Sequence, residues 1–214
     1  MIGRKKVVLW IDEEQRSLDT YTPFLKECFG DEVAVLPEIP KDELSEMLTV
    51  ISSQPDLIAI VLDQRLKTTG KTKYTGIELA EAIRSIDTKI PVYMLTNYPA
   101  EIGDLDYQVE YILEKDHLYE EAYLKTITAR VRRHADIYQD IVSEREKRFN
   151  ELLRKTIDSS LTEEEQKEFK ELDFWRNKSI YAEEESWAED LKKNLDKNQV
   201  ILEELRKQLE GKKK

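Results

Sequence analysis

Five polar or charged side chains follow apolar runs of the chain, and their types suit phosphoryl-transfer chemistry. Asp12 and Glu13 follow the first run, and Asp63 follows five consecutive apolar residues. Thr96 and Lys115 end two later runs. Clustered carboxylates repel one another unless a hard cation such as Mg²⁺ neutralises them. A carboxylate beside such a cation can attack phosphorus, and a lysine can balance the charge on the phosphoryl oxygens.

Asp63 taken alone has a simpler explanation. Acids are uncommon inside strands, so an acid after a buried strand is often a solvated residue at its end. Only the presence of the other four residues at the ends of further strands favours a shared pocket. The fold therefore has to bring these ends together.

Apolar runs alternate with amphipathic stretches from residue 5 to about residue 118. Strands rich in Val, Ile and Leu that alternate with helices indicate a parallel sheet covered on both faces, which is the α/β class. Such sheets bind ligands outside the carboxyl ends of their strands, and the order 2-1-3-4-5 makes the relevant ends neighbours. The predicted strands are Lys6–Ile11, Glu32–Leu36, Asp56–Leu62, Ile90–Leu95 and Val109–Leu113; the predicted helices cover about 14–29, 41–52 and 76–86, with a short helical or irregular piece at 100–106.

The remainder of the chain is densely charged and has helical periodicity. Apolar residues from Leu124 to Ile141 keep a spacing of three and four, which predicts one helix that continues to about Ile157. Thr162 and Glu165 have the spacing of a capping box, which predicts a new helix start. We therefore predict two parts, residues 1–133 and an all-α extension over residues 134–214.

A leucine seam near the C-terminus leaves two structures open. The leucines from Leu191 to Leu209 alternate steps of four and three around one polar position, Asn198, which is coiled-coil spacing. The seam covers fewer than three heptads. An intramolecular helical hairpin and a homodimer are both compatible with it.

The composition argues against several classes of protein. The formal net charge of −11 argues against a large nonspecific nucleic-acid surface. No apolar run approaches the roughly 20 residues that cross a bilayer. The single cysteine, Cys28, allows no internal disulfide and predicts a cytoplasmic location.

Two further patterns imitate functional motifs. The sequence Gly70-Lys71-Thr72 looks like the end of a phosphate-binding loop, but the first glycine that such a loop needs is replaced by Arg65. A mobile basic loop beside the pocket is the favoured interpretation. His134 lies on the long predicted helix without the neighbours of a kinase phosphorylation motif, so we interpret it as a surface histidine.

Five segments together resemble the receiver domain of two-component response regulators. They are "VVLWIDEE", "DLIAIVLDQRL", "TGIELAEAIR", "IPVYMLTNY" and "YILEKD", which follow one another in family order across about residues 5–133. The resemblance implies a flavodoxin-like, doubly wound α/β domain with a five-stranded parallel sheet in the order 2-1-3-4-5. The helical or coiled-coil extension lies outside the resemblance.

The resemblance also implies roles for the residues at the strand ends. Asp63 would be the phosphoacceptor. Asp12 and Glu13 would hold Mg²⁺ together with Asp63 and the backbone carbonyl of Arg65.

Two further residues complete the site that the resemblance implies. Thr96 would be the switch hydroxyl, and Lys115 would pair with the phosphoryl group. The position of the family's switch aromatic is occupied by Ile112, and Tyr98 is a candidate to replace it.

Other features depart from the family pattern. Glu13 stands where aspartate is more common, and Asp116 stands where a proline usually follows the lysine. The loop between Asp63 and Gly76 is about five residues longer than usual and contains no proline.

The resemblance implies a signalling protein, not an enzyme that acts on a separate substrate. A histidine kinase or a phosphotransfer protein would supply the phosphoryl group, and the C-terminal helices would bind an output protein or a second copy of the chain. At most, the domain would phosphorylate itself from a phosphodonor and slowly lose the group. Neither nucleic acid nor a membrane is expected as a partner. The alternative is an adaptor that uses the receiver fold as a scaffold without phosphorylation.

Overall fold

Five parallel strands form one sheet at the centre of the molecule. The computed structural model describes residues 5–67, 70, 72–158 and 160–177. The sheet order is β2-β1-β3-β4-β5, and all neighbouring strands run parallel, which confirms the predicted order. The strands are β1 (Lys6–Ile11), β2 (Val33–Glu38), β3 (Leu57–Leu62), β4 (Val92–Thr96) and β5 (Tyr111–Glu114).

Helices cover both faces of this sheet. α1 contacts α4, whereas α2 contacts α3, which is the pairing expected for a doubly wound sheet. The helices are α1 (Gln15–Phe29), α2 (Leu44–Ser53), α3 (Gly76–Ile86) and α4 (Glu121–Asp158), and a further helix, α5, covers residues 163–177.

The centre of the core is the third strand. All six residues of β3 are buried, because helices pack on both of its faces and strands flank both of its edges. Trp10 on β1 and Tyr93 on β4 are the largest fully buried side chains. The unbroken apolar run before Asp63 is therefore the central strand of the sheet.

The connection between β4 and β5 is short and lacks a full α-helix. It contains two 3₁₀ segments, Pro99–Glu101 and Gly103–Gln108. Pro99 lacks an N–H group, and Gly103 has a φ of 58°, a conformation that side-chain-bearing residues rarely adopt. The predicted short helical or irregular piece is confirmed.

α4 is a single helix of 38 residues. Buried apolar side chains recur at helical spacing from Ile127 to Tyr138 and belong to the main core. Lys6 of β1 then donates a hydrogen bond to Gln139. The predicted division after residue 133 therefore falls inside a continuous helix whose contacts with the sheet extend to Gln139.

The end of α4 and α5 form an antiparallel hairpin. The backbone N–H of Thr162 donates to Glu165 at 3.0 Å, and the Glu165 N–H donates to the Thr162 hydroxyl at 3.2 Å, which confirms the predicted capping box. The rings of Phe149 and Phe169 stack with centroids 4.9 Å apart. Arg148 of α4 forms a salt bridge with Glu168 of α5 at 2.8 Å. The seam between residues 191 and 209 lies outside the described residues.

The structure also shows the environment of the single cysteine and the character of the helices. Cys28 is a free cysteine buried on α1, where it packs as a small apolar side chain. None of the helices in the described ranges is both long enough and apolar enough to span a membrane.

One buried hydrogen bond joins α4 to the turn after α3. The Tyr138 hydroxyl donates to Asp87 Oδ2 at 2.8 Å. Asp87 Oδ1 accepts from the backbone N–H groups of Lys89 at 3.0 Å and Ile90 at 3.2 Å. Tyr138 and Asp87 are both almost fully buried, so this contact anchors the middle of α4.

Tyr138→Phe is expected to lower the free energy of unfolding by about 1–3 kcal/mol, because a buried carboxylate loses a hydroxyl donor. Urea denaturation followed by circular dichroism measures this change. Tyr107→Phe is the matched control, because the Tyr107 side chain is 70% exposed. Equal effects of the two substitutions would contradict an anchoring role for Tyr138.

Candidate functional site

Two buried aspartates lie at the carboxyl ends of adjacent strands. Asp12 follows β1 and is 1% exposed; Asp63 follows β3 and is 6% exposed. The two strand ends are in register, because the Asp63 N–H donates to the Ile11 carbonyl at 2.9 Å. Backbone N–H groups also orient the carboxylates: that of Glu14 donates to Asp12 Oδ1 at 2.9 Å, and that of Arg65 donates to Asp63 Oδ2 at 2.6 Å.

The ammonium of Lys115 lies between these carboxylates. Lys115 Nζ is 2.8 Å from Asp63 Oδ1 and 2.9 Å from Asp12 Oδ2. The ammonium also lies 5.7 Å from the ring centroid of Trp10 and 5.3 Å from that of Tyr21. Lys115 directly follows β5, so its side chain crosses the end of β4 to reach β3 and β1. The fold thus joins three of the predicted residues directly.

Burial and neighbouring charges shift the pKa values of Asp63 and Lys115 in opposite directions. Desolvation raises the pKa of the Asp63 carboxyl above its ordinary value, although Lys115 lowers it. Burial alone would lower the pKa of the Lys115 ammonium, but the charges of Asp63 and Asp12 raise it. Lys115 is therefore held in its charged form by the two carboxylates.

Thr96 ends β4, the strand between Lys115 and Asp63. It is fully buried, and its hydroxyl oxygen accepts a hydrogen bond from the Tyr98 N–H at 3.0 Å. Because the hydroxyl is the acceptor in this bond, its own proton can be donated to an incoming oxygen. Thr96 thus lies at the carboxyl end of β4, beside the cluster, but it is not part of the Lys115 ion pairs.

The carboxylate oxygens of this cluster suit Mg²⁺, although the described residues form no complete cage for it. Among the described residues, no three or more His, Cys, Asp or Glu side chains are arranged as a metal cluster. Asp12 and Asp63 nevertheless converge, and Glu13 lies half-buried directly after Asp12. Mg²⁺ is commonly bound by one or two carboxylates together with water. The role predicted for the Arg65 carbonyl stays a prediction.

The Arg65 side chain forms part of the rim of the site. Its guanidinium carbon lies 3.2 Å from the ring centroid of Tyr98, and its Nε donates to Glu101 Oε2 at 2.9 Å. These contacts join the loop after β3 to the segment after β4. Arg65 therefore contacts Tyr98 through its side chain and Asp63 through its backbone N–H. The switch role of Tyr98 stays a prediction.

The long loop after β3 is packed more closely than its polar sequence suggested. Leu66, Thr72 and Tyr74 are all buried. The loop closes where the Gly76 N–H donates to the Gln64 carbonyl at 3.0 Å. The described part of the loop is thus anchored beside Asp63, while residues 68, 69 and 71 lie outside the described residues.

The two histidines lie away from the ion-pair cluster. His134 is half-buried, and its ring stacks on Tyr93 with an interplanar angle of 7°. His134 is thus partly exposed, and its ring packs against a core side chain. His117 is half-exposed and contacts Glu120 Oε1 at 2.6 Å.

One residue of the site was not predicted from the sequence. Ser17, on the first turn of α1, is 8% exposed, and its hydroxyl bonds to both Asp12 and Lys115. A serine near a helix start is usually interpreted as a capping residue. Its position five residues after Asp12 was the available signal, but only the path of α1 brings the hydroxyl to Lys115.

Comparisons with known proteins found similar structures but no similar sequences. No protein-family model and no curated protein matches the chain. TrrA of Thermotoga maritima, a response regulator solved in complex with Mg²⁺-BeF, is 18% identical, with 59% of this chain and 98% of TrrA covered and a TM-score of 0.46. A response regulator receiver domain protein of Clostridium thermocellum is 16% identical, with 62% and 98% covered and a TM-score of 0.46. TrrA in complex with the histidine kinase ThkA is 19% identical, with 56% and 95% covered and a TM-score of 0.43.

Asp63→Asn is expected to stabilise the protein at pH 7. The pKa of Asp63 is raised in the folded protein. Between the ordinary and the raised pKa, the folded chain therefore binds more protons than the unfolded chain, so stability falls as the pH rises. At higher pH the ionised, buried Asp63 destabilises the fold. The advantage of asparagine should shrink as the pH falls from 7 towards the ordinary pKa of an aspartate, because the raised pKa lets the wild-type carboxyl take up its proton in the folded protein before it does so in the unfolded chain. Urea unfolding at pH 7 and pH 4 measures both effects.

Asp104→Asn is the control for that series, because Asp104 is exposed. It should change stability little at either pH. If Asp63→Asn were less stable than the wild type at pH 7, the attraction of Lys115 would outweigh the cost of burying Asp63.

Gly76→Ala is expected to disrupt the site, because its Cβ would lie 2.0 Å from the Asp63 carbonyl oxygen. We expect a loss of about 3 kcal/mol in the free energy of unfolding. Gly103→Ala is the comparison, because Gly103 has a φ of 58° but open space around it. That substitution should cost about 1–2 kcal/mol. Equal losses in urea unfolding would rule out the collision as the cause.

Proposed function

We propose that Asp63 accepts a phosphoryl group and that the chain is a response regulator-like signalling protein. The observation that carries this proposal is the Lys115 ammonium, which lies 2.8 Å from Asp63 Oδ1. It is held at the carboxyl ends of parallel strands, where such folds bind ligands. A fixed ammonium beside an attacking carboxylate can balance the negative charge of the phosphoryl oxygens.

The donor is a phosphohistidine on a histidine kinase or a phosphotransfer protein. An oxygen of Asp63 forms a bond to phosphorus while the bond between phosphorus and the imidazole nitrogen breaks. The electron pair of the broken bond stays on that nitrogen, and the ring leaves neutral because its other nitrogen carries a proton. Asp63 becomes an aspartyl phosphate, and the Thr96 hydroxyl can donate to one of its oxygens. The chain thus acts as an acceptor and not as an enzyme on a separate substrate.

Mg²⁺ is the proposed cofactor. Asp12, Glu13, Asp63 and the backbone carbonyl of Arg65 would hold it. When bound, it would neutralise charge on the phosphoryl oxygens. The protein's own contribution is to keep the two aspartates oriented through the backbone N–H groups of Glu14 and Arg65.

The new charge on Asp63 would change contacts at the start of α4 and at the segment that contains Glu101. Lys115 begins the 3₁₀ turn Lys115–Tyr119 that leads into α4, so a movement of Lys115 acts on the start of that helix. Arg65 links the Asp63 loop to Glu101. We propose that the output lies in the predicted helical region, residues 134–214, which would bind another protein or a second copy of the chain in the cytoplasm.

A phosphorylation-independent adaptor is the second candidate. The observation that favours it is the same ammonium, because Lys115 already compensates the charges of Asp12 and Asp63 within the described structure. In that case the receiver fold is a scaffold, and the helical region binds its partner regardless of phosphorylation.

Incubation with acetyl phosphate and Mg²⁺ is expected to add one phosphoryl group, with acetate as the leaving group, and intact mass spectrometry detects the adduct. Asp63→Asn should remove the adduct because the attacking carboxylate is gone. A chelator should prevent labelling of the wild type.

Asp116→Asn is the matched control, because this exposed acid directly follows Lys115. It should be labelled like the wild type. Labelling that persists in Asp63→Asn would refute the assignment of the acceptor, and a wild type without an adduct would favour the adaptor.

A further inference from the structure

Ser17 uses its hydroxyl differently from the two threonines of α1. Thr20 donates to the Arg16 carbonyl at 2.7 Å and Thr22 donates to the Leu18 carbonyl at 2.6 Å, which are ordinary contacts with the preceding helical turn. The Ser17 hydroxyl instead donates to Asp12 Oδ2. It is also 8% exposed and faces the interior.

The same hydroxyl completes the hydrogen bonding of the buried ammonium. Lys115 Nζ has three N–H donors. Its acceptors are Asp63 Oδ1 at 2.8 Å, Asp12 Oδ2 at 2.9 Å and Ser17 Oγ at 3.0 Å. Each donor thus has one partner, and a buried charged donor without a partner is costly. Two of the three partners belong to the β1–α1 side of the site.

We infer that Ser17 is a positioning residue that holds the Lys115 ammonium beside Asp12 in the orientation needed for phosphoryl transfer to Asp63. This inference rests on the proposed function. A lysine has a flexible four-carbon side chain, so its ammonium needs several fixed acceptors to keep one position. With two N–H groups held by Ser17 and Asp12, the third points to Asp63.

Ser17 also affects one oxygen of Asp12. Asp12 Oδ2 accepts from both Ser17 and Lys115, whereas Oδ1 accepts from the Glu14 N–H. A carboxylate oxygen offers about two acceptor positions, so Oδ2 is fully used. Removal of the Ser17 hydroxyl therefore frees an acceptor position on Asp12 and should not weaken the binding of a cation there.

These two effects separate the rate of transfer from the affinity for Mg²⁺. Ser17→Ala should lower the maximal rate of labelling by acetyl phosphate at saturating Mg²⁺ by roughly tenfold or more, because the ammonium loses its orientation. The Mg²⁺ concentration for half-maximal labelling should not rise. Ser17→Thr, which keeps the hydroxyl, should recover most of the rate. Ser53→Ala is the matched control, because the Ser53 hydroxyl donates to the Val50 carbonyl of its own helix, at 3.0 Å.

A measurement without Mg²⁺ or phosphodonor tests the tether itself. A rigidly hydrogen-bonded ammonium exchanges its protons slowly enough to give a proton–nitrogen correlation in NMR. The Lys115 correlation should be present in the wild type and in Ser17→Thr, and lost in Ser17→Ala. Circular dichroism should confirm that the variants are folded.

The outcomes separate this inference from the function on which it rests. If the wild type is labelled and Ser17→Ala is labelled equally fast, Ser17 has no positioning role although Asp63 is an acceptor. Equal impairment of Ser17→Ala and Ser17→Thr would also overturn it, because the hydroxyl would not be the cause. An unlabelled wild type would refute the proposed function and the role of Ser17 in transfer, while the NMR signal would still report on the tether.

Discussion

The buried ammonium of Lys115 is the interaction on which the carboxyl edge of the sheet depends. Asp12 and Asp63 are almost fully buried side by side, and two ionised carboxylates in that position would repel each other strongly. Lys115 compensates both, and in doing so connects β1, β3 and the turn after β5. Ser17 extends the same network to α1. Four elements of the fold thus meet at one positive charge.

This network fixes the orientation of the two buried carboxylates. Each carboxylate is oriented by a backbone N–H group, so the positions of the acids follow from the paths of the two loops and not from side-chain freedom. The positive charge that contacts both carboxylates, in contrast, is that of Lys115. A phosphoryl group on Asp63 would add negative charge where Lys115 has no further donor to offer, so some existing contact of the ammonium must be exchanged.

α4 connects this edge of the molecule to the helical hairpin without a break. It begins just after the Lys115 turn, packs in the core, and is anchored by the bond between Tyr138 and Asp87 before it pairs with α5. Arg132 further ties it to α1 by donating to the carbonyls of Glu27 and Cys28. A continuous helix with anchors along its length can carry a small displacement over a long distance, because its backbone hydrogen bonds resist bending.

The sequence by itself determined what depends on local pattern. Apolar runs, the three-four spacing of α4 and the capping box at Thr162 are each encoded within a few turns or strands, so the strands, the long helix and the new helix start could be predicted. The sheet order and the convergence of Asp12, Asp63 and Lys115 were expected from the resemblance of five segments to receiver domains. Only the tertiary structure decided that Ser17 bonds to Lys115, because their positions are 98 residues apart and the contact depends on how α1 lies on the sheet. The tertiary structure also decided that the Lys115 ammonium lies between the carboxylates of Asp12 and Asp63. Such choices follow from packing distances of a few ångströms, which no periodicity in the chain records.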